Sequence, residues 1–217
     1  MNNIKYKLFD KSIGFGEHKD IAIELLDKLI KILDKHNIQY FLISGTLLGY
    51  VRHNDFIPWD DDMDIIVSED FVKKYDIIVN SDDKDINFLA TTPDYIYKFF
   101  FTNKVFCPDN MKYNWPFIDI FVYRESDVNI NFFNKDWDKM HFFPAQKVLF
   151  NNVATLIPSN PDYFLSLNYG KDYMKIYTSP SWNHKTEKYH FIRDVSVKAK
   201  KLIKIEKKQK KKVKSEK

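Results

Sequence analysis

Within positions 60–64 stand four aspartates, Asp60, Asp61, Asp62 and Asp64, and the run passes directly into Ile65-Ile66-Val67. An apolar β-branched triplet reads as a buried strand, so any fold for this chain must seat several carboxylates at the mouth of its core. In a strand over 62–68, Asp62 and Asp64 point to one face while Met63 and Ile65 point to the other. Asp60 joins the first face if the extended conformation begins early, and Asp61 points away. Two carboxylates half-buried on one face repel each other, and taking them out of water is costly unless a cation neutralises them. Hard oxygen donors of this kind suit Mg²⁺ or Mn²⁺. The competing reading is a solvated acidic turn after Pro58; against it stands the apolar triplet that follows at once.

A second informative carboxylate lies further on. Asp119 sits between Ile118 and Ile120 in a segment, 117–123, that otherwise reads as an apolar strand. A lone carboxylate there needs a partner. A neighbouring strand that set it beside Asp62 and Asp64 would complete a three-carboxylate site able to hold two metal ions about 3.5–4 Å apart. The alternative is an aspartate bonded to a backbone turn or to a lysine.

The rest of the chain supplies elements to carry such a site. Apolar residues recur every three or four positions from 17 to 36, predicting an amphipathic helix. A short strand over 39–44 and a short helix over 46–52 follow, then a loop over 53–59. Ser68-Glu69-Asp70 offers an N-cap for a helix reaching residue 79. Strands are expected at 87–91, 97–102 and 117–123. A hairpin-like region spans 141–157 with its turn near Asn151-Asn152, and a helix at 161–168 closes at Gly170. Strands and helices in this mixture predict an α+β fold.

Composition bounds the function. Hydrophobic residues make up 44% of the 217 and aromatics 17%, which excludes a disordered chain. The single cysteine, Cys107, excludes an intramolecular disulfide and a cysteine-based zinc cluster. No secretory leader and no membrane-spanning run is seen, so the expectation is a soluble, cytoplasmic protein. The formal charge of +4 is uneven: residues 198–217 hold 11 Lys and two Glu, and removing that +9 leaves 1–197 at −5. The division expected is a domain over 1–197 and a solvated Lys-rich tail over 198–217. Such a tail can also contact a polyanion or an anionic membrane in a salt-sensitive way.

Gly45-Thr46, Arg52, the run Ile57-Pro58-Trp59-Asp60-Asp61-Asp62-Met63-Asp64-Ile65, and Asp119 together resemble the signature of the LicD family, which includes phosphocholine transferases and fukutin-type sugar-phosphate transferases. That family is similar to the nucleotidyltransferase superfamily, with its Gly-Ser or Gly-Thr turn, Asp-x-Asp strand and third acidic residue on a later strand. Phe143-Pro144, Phe150, Ile157-Pro158 and Tyr169-Gly170-Lys171-Asp172-Tyr173 resemble the family's looser downstream pattern. A family-like histidine after the Tyr-Gly element is either His184 or His190, and the sequence does not choose.

The resemblance implies a nucleotidyltransferase-like mixed sheet flanked by helices, with a smaller C-terminal elaboration. It also implies transfer of phosphocholine or a polyol phosphate from a CDP-linked donor to a glycan hydroxyl. Asp62, Asp64 and Asp119 would then bind Mg²⁺ or Mn²⁺ and carry the catalysis, with Asp119 suited to taking the acceptor's proton. Gly45, Thr46, Arg52, His53 and Asp60 would contact the donor. Gly45 allows close backbone approach to phosphate, the helix after it aims free N–H groups there, Thr46 adds a hydroxyl, and Arg52 is a planar, permanently charged clamp. Two other readings use the same residues or fewer: a nucleotidyltransferase that releases pyrophosphate, and a non-catalytic module binding a cation and polyanions.

Overall fold

The structure, a computed structural model, describes residues 9, 13–80, 83–92, 95–103, 108, 111–190 and 195–199. Cys107 and residues 200–217, most of the Lys-rich tail, lie outside the described residues.

A first helix, α1 (Lys19–Lys35), buries Ala22, Leu25, Leu26, Leu29, Ile30 and Leu33. These fall on one stripe, as the periodicity predicts, and each large aliphatic side chain withdrawn from water contributes about 1.5–3 kcal/mol. The chain then enters β1 (Tyr40–Leu42), turns at Ser44, whose φ of 48° is left-handed, and starts α2 (Ser44–His53). This helix begins two residues earlier than the pattern suggests, because the backbone reverses at Ser44 rather than continuing as strand.

β2 (Met63–Ser68) follows the acidic run. The capped helix expected from Ser68 is different in the structure. Ser68 is still in the sheet, paired with Tyr123, and the helical stretch is split at Lys74 into α3 (Asp70–Lys73) and α4 (Tyr75–Val79) with no side-chain cap. The ladder holds Ser68 in extended geometry, so its hydroxyl is not at a helix start.

Three more long strands, β3 (Ile86–Thr92), β4 (Ile96–Phe101) and β5 (Phe117–Glu125), lie where aromatic and branched residues predicted them. The sheet order is β1-β2-β5-β4-β3. β2 and β5 run parallel and the other pairs are antiparallel, so the sheet is mixed. β6 (Asn129–Phe132) and β7 (Lys135–Asp138) extend it from the end of β5 as a hairpin. α1 packs across the sheet, and among the described residues no helix is long and apolar enough to cross a membrane.

The C-terminal elaboration is built from short pieces. β8 (Gln146–Phe150) and β9 (Val153–Ile157) form the expected hairpin, its turn made by Asn151 and Asn152 at φ 49° and 67°. Paired left-handed residues are the geometry that asparagine tolerates and a two-residue hairpin requires. α5 (Pro161–Tyr169) starts with Asn160 accepting from Tyr163 N–H and ends at Gly170, φ 84°. Beyond it, β10 (Ile176–Thr178) pairs with β13 (Ser196–Lys198), and β11 (Trp182–Asn183) with β12 (Lys188–Tyr189). The mixed sheet flanked by helices is an α+β fold.

Candidate active site

Sheet register assembles the acidic cluster. Asp64 on β2 lies opposite Asp119 on β5, and Asp119 lies opposite Lys98 on β4, so three charged residues form a row across three adjacent strands. Alternation sends their neighbours Met63, Ile65, Ile118, Ile120, Tyr97 and Phe99 into the core, all 3% exposed or less. One oxygen each from Asp62, Asp64 and Asp119 lies within 4.8 Å of the others; Asp61, Asp62 and His184 form a second group within the same limit.

The backbone at Asp64 is clamped from the other side. Its N–H donates to Thr46 Oγ1 at 2.8 Å, and its carbonyl accepts from Ile43 N–H at 3.3 Å. The sequence suggested Thr46 as a contact to phosphate. The structure places it 2% exposed, with its oxygen engaged by the Asp-x-Asp strand, and it does not line the cleft. Gly45 does line the cleft, and a Cβ there would lie 2.3 Å from Asp60 Oδ2. What the missing side chain makes room for is a carboxylate.

Asp61 is anchored twice: its carbonyl accepts from Trp115 Nε1 at 2.6 Å and its carboxylate from His184 N–H at 3.0 Å. Trp59, beneath the acidic loop, donates its indole N–H to Thr178 O at 3.0 Å.

Arg52 reaches the cleft from the end of α2. Its Nη1 donates to the carbonyls of Tyr173 and Ile176 at 3.0 and 3.3 Å, and the guanidinium lies 4.5 Å from the Tyr177 ring centre. His53 is not brought to the cleft. It packs edge-on against Trp59 and beside Tyr177, and burial, with Arg52 next to it, lowers its pKa to about 4.

Several site residues escaped the sequence reading. Lys98 Nζ bonds Asp119 Oδ1 at 2.7 Å. Asp119 thus has both partners that were set as alternatives: the other aspartates and a lysine. A single charge inside the aromatic strand Tyr97-Lys98-Phe99-Phe100 was a signal of the same kind as Asp119 itself. Of the two histidines left open, His184 meets the cluster, with Nε2 3.2 Å from Asp62 Oδ2, and Glu187 lies 3.5 Å from its Nδ1. His190 does not line the cleft. Tyr169 and Trp182 also line the cleft, whose volume is about 470 Å³.

The cluster's electrostatics are those of crowded, half-dry anions. Burial first, then Asp62, Asp119 and Asp60, pushes the Asp64 carboxyl well above its usual range. Asp60 is raised by burial and by Asp62 and Asp61. Burial lifts Asp61 to about 7 against the pull of His184, and it lifts Asp119 against the pull of Lys98. Burial alone would lower His184, but Asp62, Glu187, Asp61 and Asp119 outweigh it and raise the imidazole to about 10. Buried carboxylates crowded together, their pKa values raised first by burial and then by one another, are the donor set a hard divalent cation relieves, so the residues fit a metal ion.

The family described as LicD/FKTN/FKRP, nucleotidyltransferase domain, matches residues 37–160. The lipopolysaccharide cholinephosphotransferase LicD of Haemophilus influenzae is 34% identical over 65 residues, 30% of this chain and 24% of that protein. Human ribitol 5-phosphate transferase FKRP is 43% identical over 37 residues, 17% of this chain and 8% of that protein. The chain spans about half the length, or less, of the curated relatives it matches. Among solved structures, a lincomycin-bound lincosamide antibiotic adenylyltransferase superposes with a TM-score of 0.45 at 11% identity, covering 70% of this chain and 94% of that one. The family match takes in α2, the acidic run, the strands that bear Asp64, Lys98 and Asp119, and the Asn-Asn hairpin; the chain belongs to the LicD/FKTN/FKRP family of nucleotidyltransferase domains.

Proposed function

We propose that the chain is a metal-dependent transferase that moves a phosphorylated small group, phosphocholine or a polyol phosphate, from a CDP-linked donor to a glycan hydroxyl. The observation that carries this reading is the meeting of Asp62 and Asp64, which line a cleft that Arg52 also enters, with Asp119 on the parallel strand beside them. The names of the relatives, a cholinephosphotransferase and a ribitol 5-phosphate transferase, supply the head groups.

Asp62, Asp64 and Asp119 would hold Mg²⁺ or Mn²⁺, which when bound supplies neutralisation of the donor's phosphates. The chain's own groups do the rest. Arg52, fixed by two carbonyls and a ring, offers a rigid cationic plane to a phosphate. Tyr169, which lines the cleft and whose hydroxyl is held protonated by burial and by Asp64, Asp60 and Asp62, would offer a hydrogen bond to the donor. His184, kept protonated by Asp62, Glu187, Asp61 and Asp119, would be the group that gives up a proton in the reaction.

The test is release of CMP from CDP-choline, CDP-ribitol and CDP-glycerol in the presence of an acceptor glycan. CMP release that needs Mg²⁺ or Mn²⁺ and disappears in Asp64→Ala is the expected result. Pyrophosphate release from a nucleoside triphosphate would replace this reading with a nucleotidyltransferase. No release from any donor, with tight polyanion binding, would replace it with a binding module.

A further inference from the structure

We infer that Lys98 stands where a second cation would otherwise sit, so that the three-carboxylate site takes one divalent ion per chain. The inference rests on the metal-site reading above and revises the two-ion expectation drawn from the carboxylates alone.

Lys98 is 9% exposed on a strand whose neighbours Tyr97, Phe99 and Phe100 are all buried. Its register partner is Asp119, and its ammonium is 2.7 Å from one oxygen of that carboxylate. The same ammonium lies 3.4 Å from the Phe117 ring centre and 4.7 Å from that of Tyr113. Two aromatic faces and a carboxylate hold the charge in place. Lys98 is a fixed monovalent cation built into the sheet.

Ligand supply then limits the number of ions. A second divalent ion would have to share Asp119 with an ammonium already bonded to one of its oxygens, at a separation where like charges in a half-dry site repel strongly. The second oxygen of Asp119 remains for the single ion that Asp62 and Asp64 also reach. Lys98 is therefore a positioning residue: it fixes the orientation of Asp119 and limits the charge the site accepts.

Counting bound Mn²⁺ tests this without any turnover, by equilibrium dialysis with electron paramagnetic resonance of the free ion. Ions that persist in Asp64→Asn are subtracted as surface-bound. The expected counts are one for the wild-type chain, one for Lys98→Arg and two for Lys98→Met, with circular dichroism confirming that each variant is folded. Two ions in the wild type would overturn the inference while leaving the metal-site reading intact. None in the wild type would overturn both. A folded Lys98→Met that still binds one would show that Lys98 does not set the number. Should Lys98→Met fail to fold, Lys98→Gln is counted in its place, with two ions supporting the inference and one overturning it.

Discussion

Single atoms decide the behaviour of two positions in the Gly45-Thr46 turn. Thr46 Oγ1 is the acceptor for the buried N–H of Asp64. Thr46→Val keeps the shape and removes the acceptor, leaving a donor unpaired next to the cluster. We expect a loss of about 1–3 kcal/mol in urea unfolding, with Thr46→Ser losing much less because it keeps the oxygen. At Gly45 the conflict is with a side-chain end, Asp60 Oδ2 at 2.3 Å from the added methyl. Gly45→Ala should therefore swing the Asp60 carboxylate into the cleft and leave the fold intact. The expected outcome is a fall in donor affinity of about tenfold, or ~1.4 kcal/mol, read by titration of a CDP-linked donor, with little change in melting temperature. At this scale alternation places Asp64 on the face away from Met63 and Ile65, whereas Asp62 precedes β2 and Asp61, which alternation turned away, lines the cleft. The use of Thr46 as a brace was not legible, since a hydroxyl beside a turn reads equally well as facing in or out.

Between elements, the end of α2 is the junction that matters most. Arg52 ties it to the segment 173–177 through two carbonyls and the Tyr177 ring, while His53 fills the space between Trp59 and Tyr177. With its pKa lowered to about 4 in the fold and near 6.5 when unfolded, His53 is neutral in both states above pH 6.5. As pH falls from 6.5 toward 4 the unfolded chain gains a proton that the folded chain refuses, so stability drops across that window. A His53→Phe variant should show a shallower acid slope in urea unfolding measured from pH 7 to 4 than the wild type. An unchanged slope would mean His53 is not sequestered as described. Elements with a clear period or strong turn chemistry, such as α1, β2, β5 and the Asn-Asn hairpin, could be read before any coordinates. The pair β10–β13 could not: each strand has three residues, their partners are some 20 positions apart, and three residues hold too little alternation to register. His184 was ambiguous for the same reason. It sits in the turn of a hairpin whose strands have two residues each, where no face is defined until Asp61 accepts its N–H.

Considered whole, the molecule concentrates its acidic burden at one end of β2 and β5, on the part of the chain that carries the net −5. The aromatic core, from Phe41 through Trp115 to Phe164, must stabilise that cluster when no cation is bound. Metal should therefore act on the stability of the entire fold. A ligand at a hundred times its dissociation constant adds about 2.7 kcal/mol, which for a chain of this size is a rise of roughly 5–10 °C in melting temperature. Differential scanning calorimetry with saturating Mn²⁺ against EDTA should show that rise, and Asp64→Asn should abolish most of it. The effect has a pH sign. Carboxylates bind metal only after losing their protons, and the fold raises Asp64 well above its ordinary range and raises Asp119 as well. Protons thus compete with Mn²⁺ more strongly as pH falls, and the metal-induced rise measured at one fixed, subsaturating Mn²⁺ concentration should shrink from pH 8 to pH 6. A rise that is flat or larger at pH 6 would mean that the ion binds elsewhere than among these carboxylates.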